Sequence, residues 1–244
     1  MLKIPKMLAA IIVPLCICSV SCNKSSSNIS YGQIRGLVRL ADDLNNPQSY
    51  AGMQVTAENT GVSTVTDSLG RYFLNGLQNG IYNLVYSKPG YGTYILVGFN
   101  NNGNVSDNPS LVPLVSLGQF STTTFTALTI NIKNDSVILR PSIYPEGTTI
   151  QPRGIRFFYA TTPDISSENF AAYSSVYQLS GPTGALRVGY DYFYGLGFTS
   201  GETVYIKGYG DAFFSNDYLD PTTGKHVFPN LNQTSVTPLS FILP

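Results

Sequence analysis

His226, in Thr223-Gly224-Lys225-His226-Val227, is the one histidine in 244 residues. One imidazole with no serine or cysteine nucleophile motif makes no catalytic triad. Zinc hydrolysis needs at least two such ligands or their equivalents beside an open coordination position. Neither a Gly-x-Ser-x-Gly elbow nor a phosphate-cradling glycine loop ending in Lys-Ser/Thr occurs. Asp211, Asp217 and Asp220, with Asn216 between them, offer oxygens to a hard cation. Their spacing lacks the alternation ending in glutamate that wraps calcium in a twelve-residue loop. The simpler reading of this run, and of Asp42-Asp43, is an acidic solvated loop. No metal, no cofactor and no catalytic residue is expected, and the chain reads as a non-enzyme. Two carboxylates could still invert a glycosidic bond if the fold held them about 6.5–9.5 Å apart.

The aromatic residues offer a second chemistry. The run Tyr190-Asp191-Tyr192-Phe193-Tyr194 is followed by Tyr205, Tyr209, Phe213, Phe214 and Tyr218. Sugars present C–H faces that stack on flat rings and hydroxyls that meet Asp, Asn or Lys, and tyrosine brings an apolar body with a polar tip. On this reading the candidate ligand-binding residues are Tyr192, Tyr194, Asp211, Asn216 and Tyr218, with the tyrosines on loops. The competing reading sends alternate rings of a strand into the core and the rest into surface ladders. The absence of tryptophan, the strongest stacking side chain, favours the latter.

Ahead of these residues lies an apolar leader. Lys3 and Lys6 precede Met7-Leu8-Ala9-Ala10-Ile11-Ile12-Val13-Pro14-Leu15, a cationic segment and a short apolar one, as in a secretory signal. The run is under the roughly 20 residues that span a bilayer, and Pro14 interrupts it. The segment ends in Ser19-Val20-Ser21-Cys22, which resembles the lipobox of bacterial lipoproteins of the Bacteroidota type, with Ser19 where leucine is usual. The resemblance implies a signal peptide over residues 1–21, lipidation of Cys22 and a membrane partner reached through the lipid anchor. The place implied is the outer membrane, on its periplasmic or cell-surface face. The alternative is ordinary secretion with Cys22 a free thiol. Cys16 and Cys18 fall inside the leader, so the processed chain has no cysteine pair for a disulfide or thiolate metal site. Two of the 14 basic side chains are also lost with it, leaving 12 against 14 acidic ones and no basic cluster. Nucleic acid is therefore not an expected partner.

The elements that must position any site read as strands. Charged residues are only 11%, and short apolar runs alternate with Gly, Pro, Asn, Ser and Thr; this composition favours β-strands and turns. After a flexible Ser/Asn-rich tether over residues 22–30, Ile34, Gly36, Val38 and Leu40 face one way while Arg35, Leu37 and Arg39 face the other. Met53, Val55 and Ala57 repeat the period, as do Tyr82, Leu84 and Tyr86, then Tyr94 through Val97. Gly36-Leu37-Val38, Ala51-Gly52-Met53-Gln54-Val55-Thr56-Ala57, Thr66-Asp67-Ser68-Leu69-Gly70-Arg71-Tyr72, Gly80-Ile81-Tyr82 and Pro89-Gly90-Tyr91 follow in order. This series resembles the carboxypeptidase regulatory-like domain, which implies a transthyretin-like sandwich over residues 31–117. Asp67 and Gly70 are its structural turn residues, one accepting backbone N–H groups and the other supplying positive φ. In carboxypeptidases this module sits beside the catalyst and is not the catalyst.

Residues 118–244 restart the pattern at Leu128, Ile130 and Ile132; Val137 and Leu139; Ile155, Phe157 and Tyr159; Leu186, Val188 and Tyr190; Val204 and Ile206. Gly154 to Pro163 and Phe198 to Gly210 resemble strands of Ig- or fibronectin type III-like domains. Val204 stands where their corner tyrosine is usual, with Tyr205 one step along, and such a step reverses the face. The expectation is all-β: two sandwiches in tandem behind a lipoprotein signal. The first would be a spacer and the second would present loops for adhesion or assembly with another envelope protein. The alternative is a carbohydrate-binding accessory of a polysaccharide-uptake system.

Overall fold

The computed structural model describes residues 31–103 and 108–244. The leader, Cys22 and the tether lie outside the described residues. Strand makes up 49% of the chain and helix 3%, so the class is all-β.

The first module contains β1 (Tyr31–Ala41), β2 (Gln54–Ala57), β3 (Ser63–Val65), β4 (Arg71–Gln78), β5 (Gly80–Ser87), β6 (Tyr94–Asn101), β7 (Ser110–Leu111) and β8 (Val115–Gly118). One sheet runs β4-β1-β7, with β8 also paired to β1; the other runs β3-β2-β5-β6. Strand β1 is antiparallel to β4 and parallel to β7 and β8. The two-residue period of β1 sends Ile34, Val38 and Leu40 inward, where they meet Met53, Val55, Ala57 and Leu84 from the facing sheet.

At the centre of this core the hydroxyls of Tyr72 and Tyr86 share a hydrogen bond of 2.7 Å, their rings edge to face at 6.0 Å. Burial pushes the Tyr72 phenol up to about 12 and Tyr86 further, so both keep their protons and one donates to the other. Tyr72 pairs across the sheet with Gly36, and its ring lies where a side chain on that glycine would be. The β3–β4 turn is closed by Asp67, whose Oδ1 accepts the N–H of Leu69 and of Arg71, each at 2.9 Å, and whose Oδ2 takes Arg71 Nε at 2.8 Å. Gly70 turns the chain at φ +77° and presses against the Val38 carbonyl, too close for any side chain.

The second module contains β9 (Thr124–Ile132), β10 (Ser136–Tyr144), β11 (Arg153–Ala160), β12 (Ala172–Tyr173), β13 (Tyr177–Leu179), β14 (Leu186–Gly189), α1 (Tyr190–Gly195), β15 (Thr203–Asp211), β16 (Tyr218–Leu219), β17 (His226–Val227) and β18 (Leu239–Ile242). Sheet β14-β10-β9 packs on sheet β12-β11-β15-β18, to which β13 adds at β11; β16 and β17 form a separate hairpin. Between the sheets lie Phe125, Val137, Leu139, Ile155, Phe157, Tyr159, Val204, Ile206 and Phe241.

Strand β11 is buried on both faces. Phe158 points away from the main core into a second cluster with Tyr209, Ile165, Phe228 and Leu231, supplied by the β11–β12 connection and the chain after β17. Its ring meets Phe228 edge to face at 5.0 Å and Phe170 at 5.1 Å. Val204 faces the main core while Tyr205 packs against the outer cluster, as their one-residue offset requires.

Two expectations are corrected here. Tyr190 does not extend β14, and the aromatic run after it is not a loop: Tyr190–Gly195 forms a helical turn and a half. Spacing of three puts Tyr190 and Phe193 on one helix face, and both rings pack on Phe241. His226 sits in β17 opposite Leu219.

Because Tyr72 occupies the space over Gly36, Gly36→Ala must displace the ring and its bond to Tyr86. We expect a loss of about 1–3 kcal/mol in urea denaturation. An unchanged midpoint would mean the ring is not held there.

Candidate functional site

Polar residues gather where the two modules meet. Asn230, buried beside Phe228 and Leu231, donates from Nδ2 to the Phe214 carbonyl at 2.6 Å and to Asn216 Oδ1 at 2.8 Å. Its Oδ1 accepts Gly92 N–H of the first module at 3.1 Å, and its backbone carbonyl accepts Ser121 N–H at 2.8 Å. Asn216, in the left-handed region at φ +52°, accepts Gly118 N–H at 3.0 Å and donates to the Ser116 carbonyl at 2.8 Å. A few residues along, Asp43 Oδ2 accepts Thr122 N–H at 2.8 Å, Thr122 Oγ1 at 2.7 Å and Arg153 Nη1 at 3.2 Å. The Asp43 carbonyl accepts Phe213 N–H at 2.9 Å. Tyr218 packs edge to face on Tyr94 of the first module at 6.0 Å.

A buried ion pair adjoins this seam. Arg156 Nε donates to Asp211 Oδ2 at 2.8 Å, with the two side chains 5% and 0% exposed. Arg156 Nη1 donates to the Ser174 carbonyl at 2.8 Å, and its guanidinium lies over the Phe228 ring at 4.7 Å. Asp211 Oδ1 accepts the N–H of Ala212 at 2.8 Å. Burial pushes the Asp211 carboxyl above the ordinary range, with Arg156 and the Ala212 amide working against it. His226 is tilted against Tyr173 at 5.2 Å, its Nδ1 3.8 Å from Asp217 Oδ2.

The five residues singled out as ligand-binding are not brought to one place. Tyr192 packs edge to face on Tyr159 at the main core, and Tyr194 donates its hydroxyl to the Pro244 carbonyl at 2.5 Å. Asp211 is consumed by Arg156, and Asn216 and Tyr218 face the seam. Asp43 and Asp211 also correct the solvated-loop expectation, since both are buried and paired. Asn230 was missed; an asparagine amid Phe228, Pro229 and Leu231 is the one local sign of a buried amide. Among the described residues, no three His, Cys, Asp or Glu side chains are grouped to hold a metal ion.

Three hollows mark the surface. A groove of about 400 Å³ on the outer face of β1 and β4 is apolar, with Leu37, Phe73, Leu111 and Leu114 in its walls. A second, of about 240 Å³, lies beside Tyr94, Val115 and Asn216 at the seam. The third, about 260 Å³, lies between the β11–β12 connection, the β16–β17 hairpin and Gln233. Its walls carry Ser167, Glu168, Asp220, Thr223, Lys225, His226 and Gln233 over an apolar floor of Val227 and Phe228.

The family model of the carboxypeptidase regulatory-like domain matches residues 33–109. No curated protein matches the chain in sequence. Among solved structures, a type II cohesin–X-dockerin complex from Acetivibrio cellulolyticus is similar at 17% identity over 37% of this chain, with a TM-score of 0.32; the chain covers 59% of that one. A protein described as a candidate carbohydrate binder from Bacteroides uniformis is 9% identical over 88% of this chain and 100% of its own, with a TM-score of 0.33. A DUF3823 family protein from Parabacteroides merdae is 9% identical over 87% of this chain and 99% of its own, with a TM-score of 0.31.

Removing one partner of a buried ion pair leaves an uncompensated charge. Arg156→Met is therefore expected to destabilise the chain by about 3–5 kcal/mol, and adding Asp211→Leu to recover most of that loss. Chemical denaturation of both variants measures it. A double variant no better than the single would show that Asp211 is not the charge left stranded.

Proposed function

We propose that this chain is a non-enzymatic lipoprotein of a Gram-negative, Bacteroidota-type envelope. Acylated Cys22 moors it at the outer membrane. Residues 31–117 serve as the spacer, and residues 118–244, an Ig/fibronectin type III-like module, present loops for adhesion or assembly. The nine residues from Cys22 to Ser30 reach at most about 30 Å, so the first sandwich stands close to the lipid.

The observation that carries the reading is the hydrogen-bonded seam through Asp43, Asn216 and Asn230. A spacer displays a partner-binding module in a fixed direction only if the joint between them does not swivel, and buried amides paired on both sides supply that stiffness. The family match over 33–109 supports a non-catalytic first module. Asp211, whose carboxyl burial pushes above its ordinary range, is tied to Arg156 and so is unavailable to a substrate. A second reading, a carbohydrate-binding accessory of polysaccharide uptake, is favoured by the polar hollow at the β16–β17 hairpin.

Two measurements test the proposal. Metabolic labelling with an alkynyl fatty acid should mark the wild-type chain in the outer-membrane fraction and lose the mark in Cys22→Ser. A label that survives the substitution removes the anchor. Asn230→Ala deletes three side-chain hydrogen bonds at the seam and should lower stability by about 1–3 kcal/mol. Small-angle scattering should show a longer, more variable particle for this variant; an identical profile would remove the rigid-spacer role.

A further inference from the structure

We propose that the hollow between Glu168, the β16–β17 hairpin and Gln233 is a binding site for a single sugar ring at the end of a glycan. The inference rests on the carbohydrate reading above and goes further, because it places the contact away from the tyrosines that the sequence singled out.

Size comes first. At about 260 Å³ the hollow falls just below the roughly 300–1,000 Å³ of sites for drug-sized ligands, so it admits one ring and not a chain. Its polarity is mixed in the way a polyol requires. The Glu168 and Asp220 carboxylates accept, the Lys225 ammonium donates, Gln233 does both, and Thr223, whose hydroxyl hydrogen is given to Asp220, can only accept. Each sugar hydroxyl is both donor and acceptor, so such walls can satisfy several at once. An anion would meet two carboxylates for one ammonium, and an apolar ligand would cover Glu168, Lys225 and Gln233 without giving them partners.

The floor is apolar and stiff. Phe228, 6% exposed, is clamped edge to face by Phe158 at 5.0 Å and by Tyr173 at 4.8 Å, and with the half-buried Val227 it closes the bottom of the hollow. The walls are held in place by their own hydrogen bonds. Asp220 accepts Thr222 N–H at 2.9 Å and the Thr223 hydroxyl at 2.7 Å, which holds its carboxyl below the ordinary range and charged. Asp220 N–H donates to the Lys225 carbonyl at 2.9 Å and closes the hairpin. Ser166 Oγ accepts the N–H of Glu168 at 3.2 Å, and Asn232 N–H donates to the Gly210 carbonyl at 2.9 Å, fixing the chain on either side of the opening. The backbone around the opening is thus fixed, and a ligand has only the exposed Glu168, Lys225 and Gln233 side chains left to order.

The test uses the chain from Asn23 to Pro244, which holds both cores, titrated with glucose, galactose, mannose, N-acetylglucosamine and fucose while backbone amide NMR shifts are followed. At least one sugar should move the amides of Glu168, Lys225 and Gln233 in a saturable way. Glu168→Ala and Gln233→Ala should each weaken that binding about tenfold. Both side chains are exposed, so the urea midpoints should match wild type. No saturable shift with any of the five sugars, or affinity untouched in both variants, overturns the site. Glycan-array binding that survives both variants would sink this site and leave the carbohydrate reading standing. Fatty-acid labelling is blind to either result and reports on the anchor alone.

Discussion

A buried amide must find partners or be driven back to water, and Asn230 finds them on both sides of a seam. Its side chain is sealed from solvent and bonds a backbone amide of the first module, a backbone carbonyl of the second and the Asn216 side chain. Asp43 does the same from the opposite direction, reaching out of the β1–β2 connection to Thr122 and Arg153. Neither residue could stay buried if the modules parted, because its partners would leave with the other half. Polar satisfaction thus holds the two sandwiches in their relative placement.

The same principle governs the buried acid of the second module. Asp211 looks like a ligand in the sequence, yet it lies at the end of a strand whose outer face is covered. There it neutralises Arg156, an arginine that also props the Phe228 ring. Charge is spent on holding the outer layer of the second module against β11. That layer in turn forms the floor of the hollow beside the hairpin. The polar groups left free, Glu168, Lys225 and Gln233, lie on the rim.

Much of the fold was legible because strands write their faces into a two-residue period. The alternation through Ile34, Val38 and Leu40 is the core face of β1, and the same holds for Met53, Val55 and Ala57. Asp67 and Gly70 were legible as well, since the chemistry of that turn is local: a carboxylate two and four residues before the amides it accepts, then a positive φ. What could not be read depended on distant chain. Nothing within Arg153–Ala160 says that residues 165–170 and 228–231 will cover its second face. Asp43 looks solvated until Thr122 and Arg153, about 80 and 110 residues further on, are brought to it. The helical turn at Tyr190 was hidden because five aromatic or acidic residues fit a strand equally well; packing of Tyr190 and Phe193 on Phe241 decides the matter. The candidate site shared this limit, since its walls join the β11–β12 connection to chain about 50 residues further on.

The seam also bears on how such a chain could have been assembled. Modules of this size are often treated as beads that recombination can string in any order. Here each bead carries half of a lock: Gly92, Ser116 and Asp43 in one, Asn216, Asn230 and Arg153 in the other. A transplant of either sandwich alone would bare a carboxylate or an amide shaped for a partner it no longer has. Either sandwich moved alone would have to replace these groups or give them new partners.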